Sequence, residues 1–243
     1  MKRYYIVIYI FLNVCGFAQT YSYNDAQLWL NIYLEKKISN RFSAHVNQQD
    51  RWTSNVSLFN FAYADIGLTY KINKHIKIMT DYVFTEKRSY VIPISEGMLF
   101  RTVHQFYVAL SMKKDIRRWR FMYRNMYQFQ YNSPYTSYTG LIPFQYDRNK
   151  ITVKYQYNKY LTYYIAEEVY IPLNSPLTRG IDRSRTFFGL FYNIFRHQQL
   201  ELYFMYQDRI QNTIWFKQKR SYNYNQYILE KDFVYGIGYS FEF

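Results

Sequence analysis

Apolar and polar side chains alternate along most of the chain with a period of two residues. In the segment 28–35, leucine or isoleucine stands at every even position and a polar or aromatic residue at every odd one. The closing segment 233–243 repeats the pattern, with an aromatic or isoleucine side chain at each odd position. Successive side chains of a β-strand point to opposite faces. The pattern therefore predicts strands that have one apolar and one polar face.

The segments with this alternation are joined by connections of two lengths. Eleven such segments can be drawn, at 26–36, 41–51, 59–70, 76–87, 101–113, 117–131, 147–157, 160–171, 183–194, 199–209 and 228–243. Short polar turns alternate with longer connections, which lie at 52–58, 88–100, 132–146, 172–183 and 210–226. Every proline falls in the longer connections, where it removes no ladder hydrogen bond: Pro93, Pro134, Pro143, Pro172 and Pro176. This plan is typical of an outer-membrane β-barrel with short periplasmic turns and longer extracellular loops.

The number of strands does not follow directly from the segments. Single-chain bacterial barrels have even strand numbers, and eleven segments would leave the first strand starting on the wrong side of the membrane. Residues 19–25 could supply a short extra strand, or the amino-terminal segment could thread the lumen. We therefore predict an all-β transmembrane antiparallel barrel of about twelve strands, with ten as the alternative.

A soluble β-sandwich or lipocalin-like barrel, with its apolar faces turned inward, also has a period of two. Three features favour the membrane barrel. Arg120 and Arg124 lie on a polar face that a dry core could not accept. Aromatic residues are frequent near the predicted strand ends, as at membrane interfaces. The final strand ends in Phe243, which resembles the terminal signal that the barrel-insertion machinery recognises.

Composition and the amino terminus restrict the class of protein further. The chain has 243 residues, 31 Tyr, 20 Phe, a single cysteine and a formal charge of +14. One cysteine, Cys15, allows neither an internal disulfide nor a Cys-based zinc site. Beyond the amino terminus, no apolar run approaches the roughly 18 to 20 residues of a membrane helix.

The first residues have the features of a secretory signal peptide. Lys2 and Arg3 precede a mostly apolar run, and Gly16-Phe17-Ala18 places small residues before a cleavage point. We predict cleavage after Ala18, a signal peptide at 1–18 and an outer-membrane barrel at 19–243. A lipoprotein signal acylated at Cys15 is the alternative, although Val14 is bulky for that position.

Strand parity predicts which charged side chains face the lumen. The basic cluster expected there comprises Arg51, Arg101, Arg120, Arg124, Arg148, Arg185 and Arg209. The same parity adds Lys77, Lys150, Lys154 and Arg183. The acids expected on this face are Glu35, Asp65, Asp81, Glu201, Asp232 and Glu242. The excess of bases predicts a non-catalytic barrel, either a small anion-favouring pore or a lumenal binder. The alternatives are an internal ion-pair network that conducts nothing and an envelope structural element.

Asp65 and Asp81 are the two acids that we single out as a pair, since they lie on adjacent predicted strands and one register places them directly opposite. Two facing carboxylates require a shared proton or a cation between them. We expect that cation to be Arg101 or Arg124 rather than a metal, and we predict neither a metal site nor a cofactor. The neighbours Glu167 and Glu168 point to opposite faces of one strand and cannot act on one substrate.

The four histidines, His45, His75, His104 and His197, are scattered and lack metal-ligand spacing. His104 is the candidate for catalysis, because parity turns it toward lipid with Thr102 on the same face. Outer-membrane phospholipases and lipid A deacylases place a His and a Ser on that face to activate the hydroxyl. A lipid-acting enzyme using His104 is therefore the alternative function, although no serine stands at a convincing distance.

Several segments resemble those of one family, the domain of unknown function 2490 family, whose members are predicted outer-membrane barrels of Gram-negative bacteria. The resemblance covers nearly all of the chain after the signal peptide, and it is carried by 28–30, 36–43, 68–74, 101–105 and 118–124. It implies the location and the fold, and no activity. The expected partners are outer-membrane lipid and lipopolysaccharide, the latter met by Lys217, Lys219 and Arg220, with no nucleic acid.

Overall fold

The structure, a computed structural model, describes residues 22–89, 99–132, 144–174, 180–212 and 227–243. These residues form a closed barrel of eleven strands. The strands are β1 (Ser22–Lys37), β2 (Phe42–Thr53), β3 (Leu58–Lys71), β4 (Ile76–Ser89), β5 (Leu99–Ile116), β6 (Trp119–Asn132), β7 (Phe144–Gln156), β8 (Leu161–Pro172), β9 (Arg183–Phe195), β10 (Gln198–Asn212) and β11 (Tyr227–Glu242). Among the described residues, no helix has the length and apolar character needed to cross a membrane. The predicted signal peptide and its cleavage point after Ala18 lie outside these residues.

The barrel closes through a parallel pair of strands. Strands that are consecutive in the chain pair antiparallel, whereas β1 pairs with β11 in parallel and aligns Leu30 with Ile237. An odd strand number requires one such pair, because the first and last strands then run in the same direction. The predicted count of twelve, and the alternative of ten, are therefore wrong. Of the residues 19–25 considered for an extra strand, 22–25 belong to β1, which begins at Ser22, and 19–21 lie outside the described residues.

Short turns gather at one end of the barrel and are closed by polar side chains. Asn73 Oδ1 accepts hydrogen bonds from the backbone N–H groups of His75 and Ile76, at 2.7 and 2.9 Å. Asn158 Oδ1 does the same for Tyr160 and Leu161, at 2.8 Å each. Such turns fix the register of the strands they join.

One of the connections predicted to be long is a four-residue turn between β2 and β3. Its residues Ser54, Asn55 and Val56 all have positive φ, a backbone region that side-chain-bearing residues rarely adopt. The backbone N–H of Asn55 donates to Asp25 Oδ1 at 2.9 Å, and that of Val56 donates to the carbonyl of Ala26 at 3.1 Å. These bonds fix the turn against the start of β1.

The apolar face of each strand points away from the barrel. Ile32 is 52 % exposed on this outer surface, while Trp29, which faces inward three residues earlier on β1, is 4 % exposed. The same surface carries Leu30, Ile66, Leu68, Val108, Ile151, Ile165, Phe188, Tyr235 and Ile237. The inner face carries buried polar side chains, among them Ser43, Gln49, Thr69, Gln128 and Gln207. This arrangement is the reverse of a soluble barrel with an apolar centre.

The outer surface changes from apolar to acidic toward the loop end. Five acids lie there, in the loop-side halves of their strands, and we call them the outer collar: Asp50, Glu86, Asp147, Glu167 and Asp208. Each accepts a hydrogen bond from a neighbouring side chain, at 2.9, 2.6, 2.6, 2.6 and 2.9 Å respectively. The apolar belt thus occupies the part of the barrel between the short turns and this collar.

Candidate lumenal site

A cavity of about 650 Å³ occupies the interior of the barrel. It extends from Lys77 and Lys154, near the turn end of their strands, to Lys87 and Arg209, near the loop end. A second cavity of about 520 Å³ lies at the turn end and shares Asn31, Tyr33, Phe191 and Glu201 with the first. Because they share these walls, the two cavities adjoin.

The charge around the larger cavity is strongly basic. Its lining includes ten bases, Arg51, Lys77, Lys87, Arg124, Arg148, Lys150, Lys154, Arg183, Arg185 and Arg209. Among the described residues, four acids line it, namely Asp65, Asp81, Glu168 and Glu201. Five of the seven arginines proposed from the sequence thus border the cavity. Lys87 is not among the predicted lumenal bases, although it has the same strand parity as Asp81.

The other two arginines of the predicted cluster lie elsewhere. Arg120 follows the first residue of β6 at the turn rim, where it is exposed and its Nε lies 2.5 Å from Asp115 Oδ1. It therefore forms a surface ion pair rather than part of the cavity wall. Arg101 lies on β5 opposite Lys87, and its side chain is outside the described part of the structure.

Glu168 lies at the centre of a group of three arginines inside the barrel. Its Oε1 lies 2.7 Å from Arg124 Nη2 and 2.9 Å from Arg148 Nη2, and its Oε2 lies 3.7 Å from Arg185 Nη1. The Tyr170 hydroxyl accepts a hydrogen bond from Arg185 at 2.5 Å and donates to Glu168 at 3.4 Å. Glu168 is 2 % exposed. One carboxylate thus balances one of three converging positive charges, and two remain.

In the sequence, Glu168 draws attention only as the neighbour of Glu167. The structure places them on opposite faces: Glu167 is on the outer surface, where it accepts a hydrogen bond from the Thr186 hydroxyl at 2.6 Å. Strand parity would have assigned Glu168 to the lumen. No local signal shows that arginines from β6, β7 and β9 would converge on it.

Three further bases of the lining contact aromatic rings instead of acids. The Arg51 guanidinium lies 3.5 Å from the centre of the Trp29 ring and donates to Gln49 Oε1 at 2.6 Å. Lys150 Nζ lies 3.9 Å from the ring of Phe187, and Lys154 Nζ lies 4.0 Å from that of Phe191. Within the described part of the chain, none of these bases has a carboxylate at ion-pair distance. Cation–π contacts hold the charges in place without neutralising them.

The predicted pair of acids is brought together, but in another register. Asp81 pairs with Gly67 and Asp65 with Val83, so the two carboxylates lie diagonally and the predicted direct opposition is wrong. The side chain next to both is His45, whose Nε2 lies 3.1 Å from Asp81 Oδ1 and 3.4 Å from Asp65 Oδ1. Arg124, one of the two expected cations, is paired with Glu168 instead. His45 lies on the inner face of β2, and parity alone could have placed it in the lumen.

His104 lies on the outer face, as its parity requires. Its Nδ1 is 2.7 Å from the Tyr82 hydroxyl, and its ring meets Phe84 edge-on. The Thr102 hydroxyl donates to Glu86 at 2.6 Å and is engaged there. In the described ranges, the hydrogen-bond partner of His104 is therefore a phenol, and the structure offers it no serine or threonine nucleophile.

Comparisons with known proteins agree with this architecture. A solved structure titled "NanC porin structure in rhombohedral crystal form" is similar, with a TM-score of 0.50 and 16 % identity over 90 % of this chain and 99 % of that chain. Comparison with curated proteins finds no match. A family model described as "Protein of unknown function (DUF2490)" matches residues 26–218. Since that match spans most of the chain, the protein belongs to the DUF2490 family.

Proposed function

We propose that the protein is an outer-membrane β-barrel whose lumen forms a small, anion-favouring pore. The observation that carries the proposal is the lining of the cavity, which contains ten bases and four acids among the described residues. The same chemistry suits retention of a small anion inside the lumen. In this proposal the chain is exported with cleavage after Ala18, and β11, ending next to Phe243, is the segment that the insertion machinery recognises.

The outer surface supports a position in a membrane. In β4, ten residue steps separate Ile76 at the turn end from Glu86 of the outer collar, and β10 has the same spacing from Gln198 to Asp208. Ten steps correspond to about 33 Å along a strand and to about 25 Å along the axis of a tilted barrel. That height matches the apolar band of outer-membrane barrels. The collar would then lie at the level of the lipid headgroups.

Two arginines of the cavity lining meet at one aromatic ring. Arg51 from β2 and Arg185 from β9 both approach the ring of Trp29, with guanidinium carbons 3.5 and 5.3 Å from its centre. Trp29 and Arg51 are cross-strand partners on the adjacent strands β1 and β2, and Arg185 reaches the same ring from β9, so the three side chains occupy part of the lumen. A positive ring inside walls of low dielectric constant attracts anions and repels cations.

The charge of Lys150 and Lys154 is expected to determine ion selectivity. The double variant Lys150→Gln/Lys154→Gln removes two cavity charges that lack acidic partners among the described residues. We expect its anion-to-cation permeability ratio to fall by at least about twofold. The measurement is the reversal potential of the purified barrel in a planar bilayer under a KCl gradient.

Lys159→Gln is the matched control, because Lys159 also contacts an aromatic ring, with its Nζ 4.7 Å from the ring centre of Tyr160, but lies exposed at a turn. Its permeability ratio should equal that of the unmodified protein. Absence of conductance after verified insertion would overturn the pore. A cation preference in the unmodified barrel would overturn the anion-favouring lumen.

A further inference from the structure

Three potential metal ligands from three adjacent strands meet on the inner wall. They are His45 of β2, Asp65 of β3 and Asp81 of β4, which we call the His45 triad, and their ligand atoms all lie within 4.8 Å of one another. We propose that the His45 triad binds a divalent transition-metal ion of the Zn²⁺ type. The triad lines the same cavity as the bases of the proposed pore, but among the described residues its two acids pair with His45 and with none of those bases.

The distances from His45 to each of the two acids match the edges of a metal coordination sphere. Zinc binds histidine nitrogen and carboxylate oxygen at about 2.0–2.2 Å, so neighbouring ligands lie about 3.0 Å apart in octahedral and about 3.4 Å apart in tetrahedral geometry. His45 Nε2 is 3.1 Å from Asp81 Oδ1 and 3.4 Å from Asp65 Oδ1. An ion can therefore contact all three residues with small side-chain movements.

Two oxygens of the triad lack the hydrogen bonds that buried carboxylates normally make. Asp65 Oδ1 and Asp81 Oδ1 are both inaccessible and without a hydrogen-bond partner among the described residues, although both face the His45 ring. Asp81 as a whole is 6 % exposed. Buried polar atoms are usually hydrogen-bonded, and an exception calls for an explanation such as an ion. Metal coordination would satisfy both oxygens.

Asn47 offers a further oxygen beside the triad. It lies two residues from His45 on the same face of β2, and its cross-strand partner is Asp65. Its amide nitrogen donates to the Tyr63 hydroxyl at 3.2 Å, while its Oδ1 is buried and has no partner in the described structure. An amide oxygen at this position can complete the coordination together with water.

The wall is shaped to bring the triad together. Gly67 lies directly between His45 and Asp81 in the ladder, and a Cβ there would overlap Asp81 Oδ1 and His45 Cε1. The absence of a side chain thus leaves the space in which the imidazole reaches the carboxylate. Tyr33 supports the ring from β1, with ring centres 5.2 Å apart.

The donor set indicates the class of metal. An imidazole nitrogen favours Zn²⁺, Cu²⁺, Fe²⁺ and Ni²⁺, whereas Ca²⁺ requires six to eight oxygen ligands. Two carboxylates balance the charge of a divalent ion, so the site adds no net charge to a lumen already rich in bases. A transition-metal ion therefore fits the triad better than Ca²⁺ or Mg²⁺.

The test is a calorimetric titration of Zn²⁺ into the full chain, refolded in detergent and freed of metal with chelator. We expect saturable binding of one ion per chain. His45→Ala and the near-isosteric Asp65→Asn should each weaken binding by more than about tenfold. Loss of a residue that only supports a metal ligand already lowers metal affinity about 10- to 100-fold, and loss of the ligand itself lowers it at least as much. Gly67→Ala should weaken it similarly, because the new Cβ occupies the space of the triad.

His75→Ala is the matched control, since His75 lies exposed at a turn with its Nδ1 3.2 Å from the Lys113 carbonyl. It should leave Zn²⁺ affinity unchanged. Folding of every variant is checked by far-UV circular dichroism and heat-modifiable migration, and Asp65→Asn decides the matter if His45→Ala does not fold. No saturable binding, or binding by His45→Ala and Asp65→Asn that is as tight as that of the unmodified protein, would overturn the metal site and leave the triad as an ion pair.

Discussion

Replacing Glu168 by Gln is expected to lower the free energy of unfolding of the barrel by about 3–5 kcal/mol. The substitution keeps the shape of the side chain but removes the carboxylate on which Arg124, Arg148 and Arg185 converge. Because Glu168 is almost fully buried, little water reaches the centre of the cluster to screen the remaining charges. Three like charges then repel one another across β6, β7 and β9. The measurement is equilibrium urea unfolding in detergent, followed by tryptophan fluorescence.

Glu167→Gln provides the matched control one residue away. Glu167 has the same side chain on the same strand, but it is exposed on the outer surface and bonded to Thr186. Its replacement should change the free energy of unfolding by no more than about 0.5 kcal/mol. Equal losses for the two variants would contradict the role assigned to the arginine cluster.

The arginine cluster without its acid should also respond to added anions. In Glu168→Gln, sulfate can bind the guanidinium groups of Arg124 and Arg148 from the cavity, because both side chains are partly exposed and planar guanidinium groups bind oxyanions through paired hydrogen bonds. We therefore expect sulfate to recover more of the lost stability than chloride at the same ionic strength. If the two salts act equally, general screening rather than occupation of the cluster accounts for the recovery.

The strands could be predicted because the alternation of side chains is a local property. The segment 76–87 corresponds to β4, Ile76–Ser89, and the outward position of Ile237 follows directly from its parity. The closure of the barrel could not be predicted in this way. Pairing of β1 with β11 joins residues some two hundred positions apart, and no local pattern encodes whether that pair is parallel. The prediction of twelve strands therefore rested on the even strand numbers of single-chain bacterial barrels, which this chain does not follow.

In the site, as in the fold, the sequence predicts which face of a strand a residue occupies but not which residue it contacts. Parity predicts that Asp65 and Asp81 face the lumen, but their relation depends on the register of the turn between β3 and β4. That turn pairs Lys71 with Lys77, which moves Asp65 two residues away from Asp81 along the ladder. His45 then approaches both acids across Gly67. Because such contacts involve three strands at once, the pattern of residues within a single strand does not predict them.

Cysteines placed at Leu30 and Ile237 are expected to form a disulfide almost completely under mild oxidation. The two residues are partners in the parallel pair of β1 and β11, and both side chains are accessible on the outer surface. Neighbouring strands lie about 4.8 Å apart, within the range of Cα separations that a disulfide spans. The double variant is made with Cys15 replaced by Ser, so that no other thiol is present. Cross-linking is measured by non-reducing electrophoresis and by mass spectrometry of the linked peptides.

The pair Leu30→Cys and Phe233→Cys is the control for this experiment. Phe233 lies on the same face of β11 but four residues from the partner of Leu30, a distance of about 13 Å along the strand. It should give no disulfide within one chain. A twelfth strand between β1 and β11 would separate Leu30 from Ile237 by two strand spacings, which exceeds the reach of a disulfide. If both cysteines of the first pair react with a soluble maleimide and yet do not cross-link, the parallel closure is wrong and the result supports a barrel with an even number of strands.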